Sequence, residues 1–136
     1  MLLAIVDSGP LLASANSADP DHAACVEALT ESGVDLVIPA LCVAEVTWFL
    51  GRRHGAQAES RFVDALSRFT VLAPDAKDWP RIAGLVRRYA DLPLGTTDAS
   101  VAVLAERLAT TRIITLDRRH FSVLRNARGQ AFDLRP

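Results

Sequence analysis

The chain is poor in the residues that mark several large classes of protein. Its two cysteines, Cys25 and Cys42, in 136 residues are too far apart for a metal knuckle or a redox couple. Nothing around them points to secretion, so both read as buried thiols. Long apolar runs are missing: MLLAIVDSG carries no basic leader and turns polar after six residues, and no stretch approaches the ~18 apolar residues of a membrane span. A soluble, cytoplasmic protein with no membrane association is expected. Excess charge of either sign is missing as well. A net charge of -1 and a pI near 6.3 exclude a surface that is basic throughout, while leaving room for a local basic patch. Lysine is nearly absent: Lys77 is the only one among fifteen basic residues. That scarcity, beside abundant alanine, reads as genome composition and carries no functional weight. Half of the residues are apolar, enough at this length for one core, and with no repeat, linker or low-complexity stretch the chain reads as one domain, 1–136.

Apolar periodicity gives the organisation. Leu2 to Val6 is a short run apolar throughout, as in a strand buried on both faces, and it stops at Asp7. Ser8, Gly9 and Pro10 turn the chain into a helix. The segment DHAACVEALTES after Pro20 predicts a second helix closed by Gly33, and Leu36 to Ile38 a second strand. Leu41 to Arg53 reads as a helix ended by Gly55, and Ala56 to Phe69 as another. Thr70 to Ala73 reads as a strand, and Asp75 to Ala90 as a helix with Pro80 in its first turns. Ser100 to Ala109 follows as a helix opened by Thr96, Thr97 and Asp98, then the strand Arg112 to Leu116 and a last strand over Ala131 to Leu134. This alternation predicts an α/β fold, a mostly parallel sheet covered by helices on both faces. In such sheets ligands bind beyond the carboxyl ends of the strands, where Asp7 and Asp117 stand.

Four acids draw attention. Asp7 and Asp117 each follow a strand, where a turn or cap role explains a carboxylate equally well. Asp98 lies in the first turn of its helix, and the helix dipole alone rewards an acid there by about 0.3–1 kcal/mol. Glu45 is hardest to explain structurally. It interrupts LCVAEVTWFL, a helix apolar nearly all the way round and so expected to be buried, and it shares a face with Leu41, Trp48 and Phe49. An unpaired carboxylate there needs a cation, a donor or an open cleft. If the four converge, a hard divalent cation, Mg²⁺ or Mn²⁺, is the natural neutraliser, and it suits phosphodiester hydrolysis. His22, His54 and His120 are scattered without zinc-ligand spacing and read as surface residues.

The order Asp7, Glu45, Asp98, Asp117 on alternating βα units, within the words VDSGPLLA, AEVTWFL, LGTTDASVAVLAERL and TLDRRHFSVL, resembles a PIN-domain nuclease of the VapC toxin type. The likeness runs from about Leu2 to Leu134. It implies a PIN domain with Mg²⁺-dependent endoribonuclease activity, in which the four acids are catalytic and hold metal, with Asp7 and Asp98 the principal ligands. It further implies RNA as substrate, a cognate antitoxin as partner in a type II toxin–antitoxin pair, and a homodimer. Members often carry one further acid near the last position, where this chain has Thr115. Ser8 and Thr115 are expected to support the acids by hydrogen bonds. Arg118 and Arg119, directly after the fourth acid, are expected to meet RNA phosphates. Trp48, Phe49 and Leu50, with Val26 and Leu29, are expected to leave an apolar patch for a protein partner.

Other readings of the same alternation fail on single residues. A response-regulator receiver needs paired acids after the first strand and a lysine after the last, whereas Asp7 stands alone and Lys77 is mid-chain. A haloacid-dehalogenase-type phosphatase needs a second aspartate where Gly9 stands. The non-enzymatic alternative, a PIN-like RNA- or protein-binding module with a weak site, predicts gaps in the acid set, and none of the four is missing.

Overall fold

A computed structural model describes all residues, 1–136. Five strands form one sheet: β1 (Leu2–Val6), β2 (Val34–Pro39), β3 (Thr70–Leu72), β4 (Arg112–Ile114) and β5 (Asp133–Arg135). Their spatial order is β3-β2-β1-β4-β5 and every pairing is parallel. The chain builds outward from β1 to β2 and β3, then returns across β1 to lay down β4 and β5. The order therefore reverses between β1 and β4, which opens a crevice at the carboxyl ends of these two strands.

Alternate residues of β1 serve two cores, as expected for a strand covered on both faces. Ala4 and Val6 pack with Leu11, Ile38, Val46, Leu50 and Ile114 under α1 (Ser8–Ser14) and α3 (Ala40–Ala65). Ile5 faces Ile82, Val101, Val103, Ile113 and Phe121, beneath α4 (Asp78–Arg88), α5 (Thr96–Arg107) and the short α6 (Arg118–Phe121). The remaining helix, α2 (His22–Leu29), packs on α1. Helix α5 is the most central, with Ala99 to Ala105 buried without interruption.

The differences from the sequence reading are local. Gly55 does end the first half of α3, at φ 83° and ψ 174°, a conformation open to glycine, and the second half resumes directly after it. Helix α4 starts at Asp78, so Pro80 falls in its first turn, where its missing N–H costs nothing. The last strand lies at Asp133–Arg135, slightly later than expected. The first half of α3 is not buried all round: Cys42, Val46 and Leu50 form its inward stripe, while Ala44, Glu45 and Trp48 are exposed. The expectation of a buried Glu45 is thereby corrected. It sits about 100° around the helix from Val46, far enough to reach the open edge.

Candidate active site

Asp7 is the first residue after β1, and its backbone N–H donates to the Ile114 carbonyl at 2.9 Å, which ties the crevice shut at its base. Its side chain is buried. Oδ2 accepts from Thr115 Oγ1 at 2.8 Å, and Cys42 Sγ lies 3.8 Å from Oδ1. Burial raises the Asp7 carboxyl above the ordinary aspartate range. The Thr115 hydroxyl and the Ser8 backbone N–H work against burial, while the charges of Glu45 and Asp117 add to it. Thr115 also accepts from the Asp117 backbone N–H at 2.9 Å, so one hydroxyl links the two strand ends. That is the supporting contact expected of Thr115. Ser8 behaves differently: its Oγ is buried with no hydrogen-bond partner.

Asp117 caps α6, its Oδ1 accepting from the His120 backbone N–H at 3.0 Å. Its Oδ2 lies 2.5 Å from His120 Nδ1. The other ring nitrogen, Nε2, is 3.1 Å from the Pro93 carbonyl, which only accepts, so Nε2 carries a proton and donates it. Asp98, in the first turn of α5, completes a group in which one ligand atom each of Asp98, Asp117 and His120 lies within 4.8 Å of the others. Its carboxyl is pushed up to about 6, first by burial, then by Asp7 and Asp117, with Glu45 adding and His120 opposing. Glu45 reaches the cluster from the first half of α3, close enough for its charge to act on Asp7, Asp98 and the buried Cys42 thiol.

All four acids expected from the sequence stand around the crevice: ligand atoms of Asp98 and Asp117 lie within 4.8 Å of each other with His120, and Asp7 and Glu45 are near enough for their charges to act on the group. No arginine or lysine pairs with any of them: the ion pairs of the molecule tie Arg81 to Glu106, Arg107 to Asp75 and Asp78, and Arg112 and Arg135 to Glu31 and Asp133. His120 is the one basic side chain that meets the cluster. The reading of all three histidines as surface residues misses it. His54 is exposed, and His22 gives its Nδ1 to the Ala13 carbonyl, whereas His120 is largely buried against Asp117. The spacing DRRH, an acid at the cap and a histidine three residues on, is the signal that was available.

The basic edge is thinner than the six arginines from Arg112 onward imply. Arg112 and Arg135 are spent on Asp133, and Arg125 donates to the Ser122 and Leu124 carbonyls. Arg118 donates to the Pro136 carbonyl and Arg119 reaches the Leu92 carbonyl at 3.4 Å, both with exposed side chains. The apolar patch also divides. Val26 and Trp48 are exposed, Leu50 is buried, and Phe49 and Leu29 line a cleft of about 1010 Å³ beside α1 and α3.

A set of hard oxygen donors that no arginine or lysine pairs, a buried hydroxyl without a partner beside it and a carboxyl raised by burial and by its acidic neighbours are what a divalent cation site presents before it binds. No helix of the chain is long and apolar enough to cross a membrane.

Comparison with known proteins agrees with this arrangement. The PIN domain family profile matches residues 4–126. The chain is 37% identical over 134 residues to Ribonuclease VapC26 of Mycobacterium tuberculosis, covering 97% of this chain and 99% of that protein. Among solved structures it resembles VapC20 of the same organism, a toxin cleaving the sarcin-ricin loop, at TM-score 0.72 and 17% identity over 81% of this chain and 86% of that one. A toxin-antitoxin complex from Klebsiella pneumoniae gives TM-score 0.71 and 21% identity over 89% and 92%. VapBC2 from Rickettsia felis, bound to a promoter DNA fragment, gives 0.69 and 17% over 98% and 97%. At these identities the solved structures speak for the fold.

Proposed function

Since the chain belongs to the PIN domain family, we propose that it is a metal-dependent endoribonuclease, the toxin of a type II toxin–antitoxin pair acting in the cytoplasm. One observation supports the reading: Asp7, Glu45, Asp98 and Asp117 lie within range of one another's charge around the β1–β4 crevice, and no arginine or lysine pairs with them. In this reading Asp7 and Asp98 are the principal ligands of Mg²⁺ or Mn²⁺, and Glu45 and Asp117 complete the site. Such an ion supplies a water of lowered pKa and charge neutralisation at the phosphodiester. The chain's own groups hold the geometry. Thr115 fixes Asp7 and, through the Asp117 N–H, the start of α6, while His120 holds the Asp117 carboxylate from the side. Ser8 Oγ, buried beside Asp7 without a hydrogen-bond partner, is free to support the site when it is filled. Arg118 and Arg119 flank Asp117 and take the RNA backbone.

The antitoxin's place is the cleft lined by Leu12, Phe49, Leu50 and Phe62, with Arg53, His54 and Arg61 among its polar residues. The cleft extends to Gly9 and Leu116, the neighbours of Ser8 and Asp117, so a helical segment lying in it ends beside the acids. An arginine there pairs with the carboxylates and excludes both metal and RNA. The chain itself assembles as a homodimer.

The test is cleavage of structured and single-stranded RNA with Mg²⁺ and with EDTA, alongside calorimetric titration with Mn²⁺. Cleavage should require the metal, and co-expression with the product of an adjacent small reading frame should suppress it. RNA left intact in Mg²⁺ by a protein that binds Mn²⁺ would leave a binding module in place of a nuclease.

A further inference from the structure

Trp48 is 56% exposed although it stands on a helix that anchors the candidate site. Helical geometry puts Glu45, Trp48 and Arg52 on one face of α3, turned away from the inward stripe of Cys42, Val46 and Leu50. The rise from Glu45 to Trp48 is about 4.5 Å, so the indole stands one turn from an acid of the cluster. Its orientation is set from two sides. Phe49 meets it edge to face, with centroids 5.1 Å apart and planes at 88°. The Arg52 guanidinium lies over the indole at 4.7 Å from its centroid. Phe49 and Arg53 line the apolar cleft, whereas Trp48 and Arg52 do not. A segment lying in the cleft therefore leaves the indole uncovered.

We propose that Trp48 is a base-stacking subsite for single-stranded RNA, taking the unpaired base next to the phosphodiester held at the acids, with Arg52 meeting the adjoining phosphate. The proposal rests on the ribonuclease reading of the site. Its chemistry follows from the pair itself. With Arg52 over one face of the indole, the opposite face is the one a base would stack on, while the guanidinium offers a charge to the backbone, and together they bind a strand without reading its sequence. The neighbouring acids repel a polyanion, so a favourable contact close to them is needed to hold the strand in register until metal offsets that repulsion. Stacking of this kind tolerates every base and prefers the larger purines.

The chain has two tryptophans, and replacing the other one, Trp79→Phe on α4, leaves Trp48 as the sole indole emitter. In EDTA, where no cleavage occurs, a short single-stranded oligoadenylate should quench that emission, and inorganic polyphosphate of the same charge should not. Trp48→Ala should weaken oligoadenylate binding about tenfold or more, and Trp48→Tyr should restore most of it. Circular dichroism melts of both variants verify that they fold. Absence of quenching, equal quenching by polyphosphate, or unaltered affinity in Trp48→Ala overturns the proposal. So does a concentration-dependent blue shift without any response to RNA, which places the indole in a contact between two copies of the chain. The same Trp79→Phe protein assayed in Mg²⁺ separates the two readings. Cleavage without quenching overturns the subsite alone, quenching without cleavage overturns the ribonuclease reading alone, and absence of both overturns both.

Discussion

Removing one charge from the cluster should stabilise the protein when metal is absent and destabilise it when metal is present. Asp98→Asn is the cleanest perturbation, because the amide keeps the shape of the side chain. In the metal-free protein the Asp98 carboxyl is displaced from 3.8 to about 6 by burial and by Asp7 and Asp117. A group whose folded value is raised destabilises the fold when it ionises. The wild-type protein therefore has its full stability from this group in acid, below about 4, and loses it as the pH rises through about 6. At about 1.4 kcal/mol per tenfold change in acid constant, the upper bound of that loss is near 3 kcal/mol. Asp98 is only partly buried, and solvent screening reduces the figure to about 1.5 kcal/mol. The Asn variant forfeits about 0.5 kcal/mol of interaction with the α5 dipole. A net gain of about 1 kcal/mol remains above pH 7, a rise of roughly 3 °C in melting temperature for a domain of this size. With a divalent cation at about 100 times its dissociation constant, binding adds about 2.7 kcal/mol to the wild type, and the order of the two melting temperatures reverses. Differential scanning fluorimetry from pH 5 to pH 8, in EDTA and in Mg²⁺, reads all of this. Melting curves for wild type and variant that coincide in EDTA across that range would refute the claim that Asp98 is held among like charges.

Three further outcomes follow from the same geometry. Asp7→Asn should abolish Mg²⁺-dependent cleavage while leaving the circular dichroism spectrum intact, and an Asn variant that cleaves at the wild-type rate removes Asp7 from the site. His120→Ala should weaken calorimetric Mn²⁺ affinity about 10- to 100-fold, the usual cost of losing the partner that orients a ligand, and unchanged affinity means that the 2.5 Å contact with Asp117 is incidental. Arg118→Ala combined with Arg119→Ala should weaken RNA binding and flatten its dependence on log salt by about two, since each phosphate contact contributes roughly 0.7 to the slope for a single strand and each arginine makes one or two. A slope that does not move puts the RNA path elsewhere.

Most of the fold is legible in the sequence because each strand is bracketed by its own stop signal. Val6 gives way to Asp7, β2 runs to Pro39 and no further, and the helix through Glu45 ends where Gly55 takes a positive φ. The short outer strands are less legible. Thr70–Leu72 and Asp133–Arg135 pair on one side only, so neither needs a long apolar run, and the second mixes charge with leucine because Arg112 and Arg135 both reach Asp133. The helix around Glu45 departs from its expected burial for a related reason. Counting apolar residues along LCVAEVTWFL treats Ala44 and Trp48 as core, but only the stripe Cys42, Val46, Leu50 has a sheet to face.

The acids were legible as a set and the groups around them only in part. Asp7 and Asp117 are legible as strand-end acids, Asp98 as an acid in a helix's first turn and Glu45 as a charge interrupting an apolar helix stretch, and the β1–β4 reversal gives the two strand-end acids a common crevice. Thr115 could be picked out because it stands two residues before Asp117, and the adjacency of β1 and β4 then brings its hydroxyl to Asp7. His120 could not be separated from His22 and His54 by spacing to other histidines, since its partner is an acid and its second contact is the Pro93 carbonyl, 27 residues away and brought near only by folding. That second contact has a consequence for the site. It joins the loop before α5, which carries Asp98, to the turn after β4, which carries Asp117. The imidazole therefore links the segments that support these two acids. A cation bound there meets a frame already held at two points, and less of its binding energy goes into ordering the ligands.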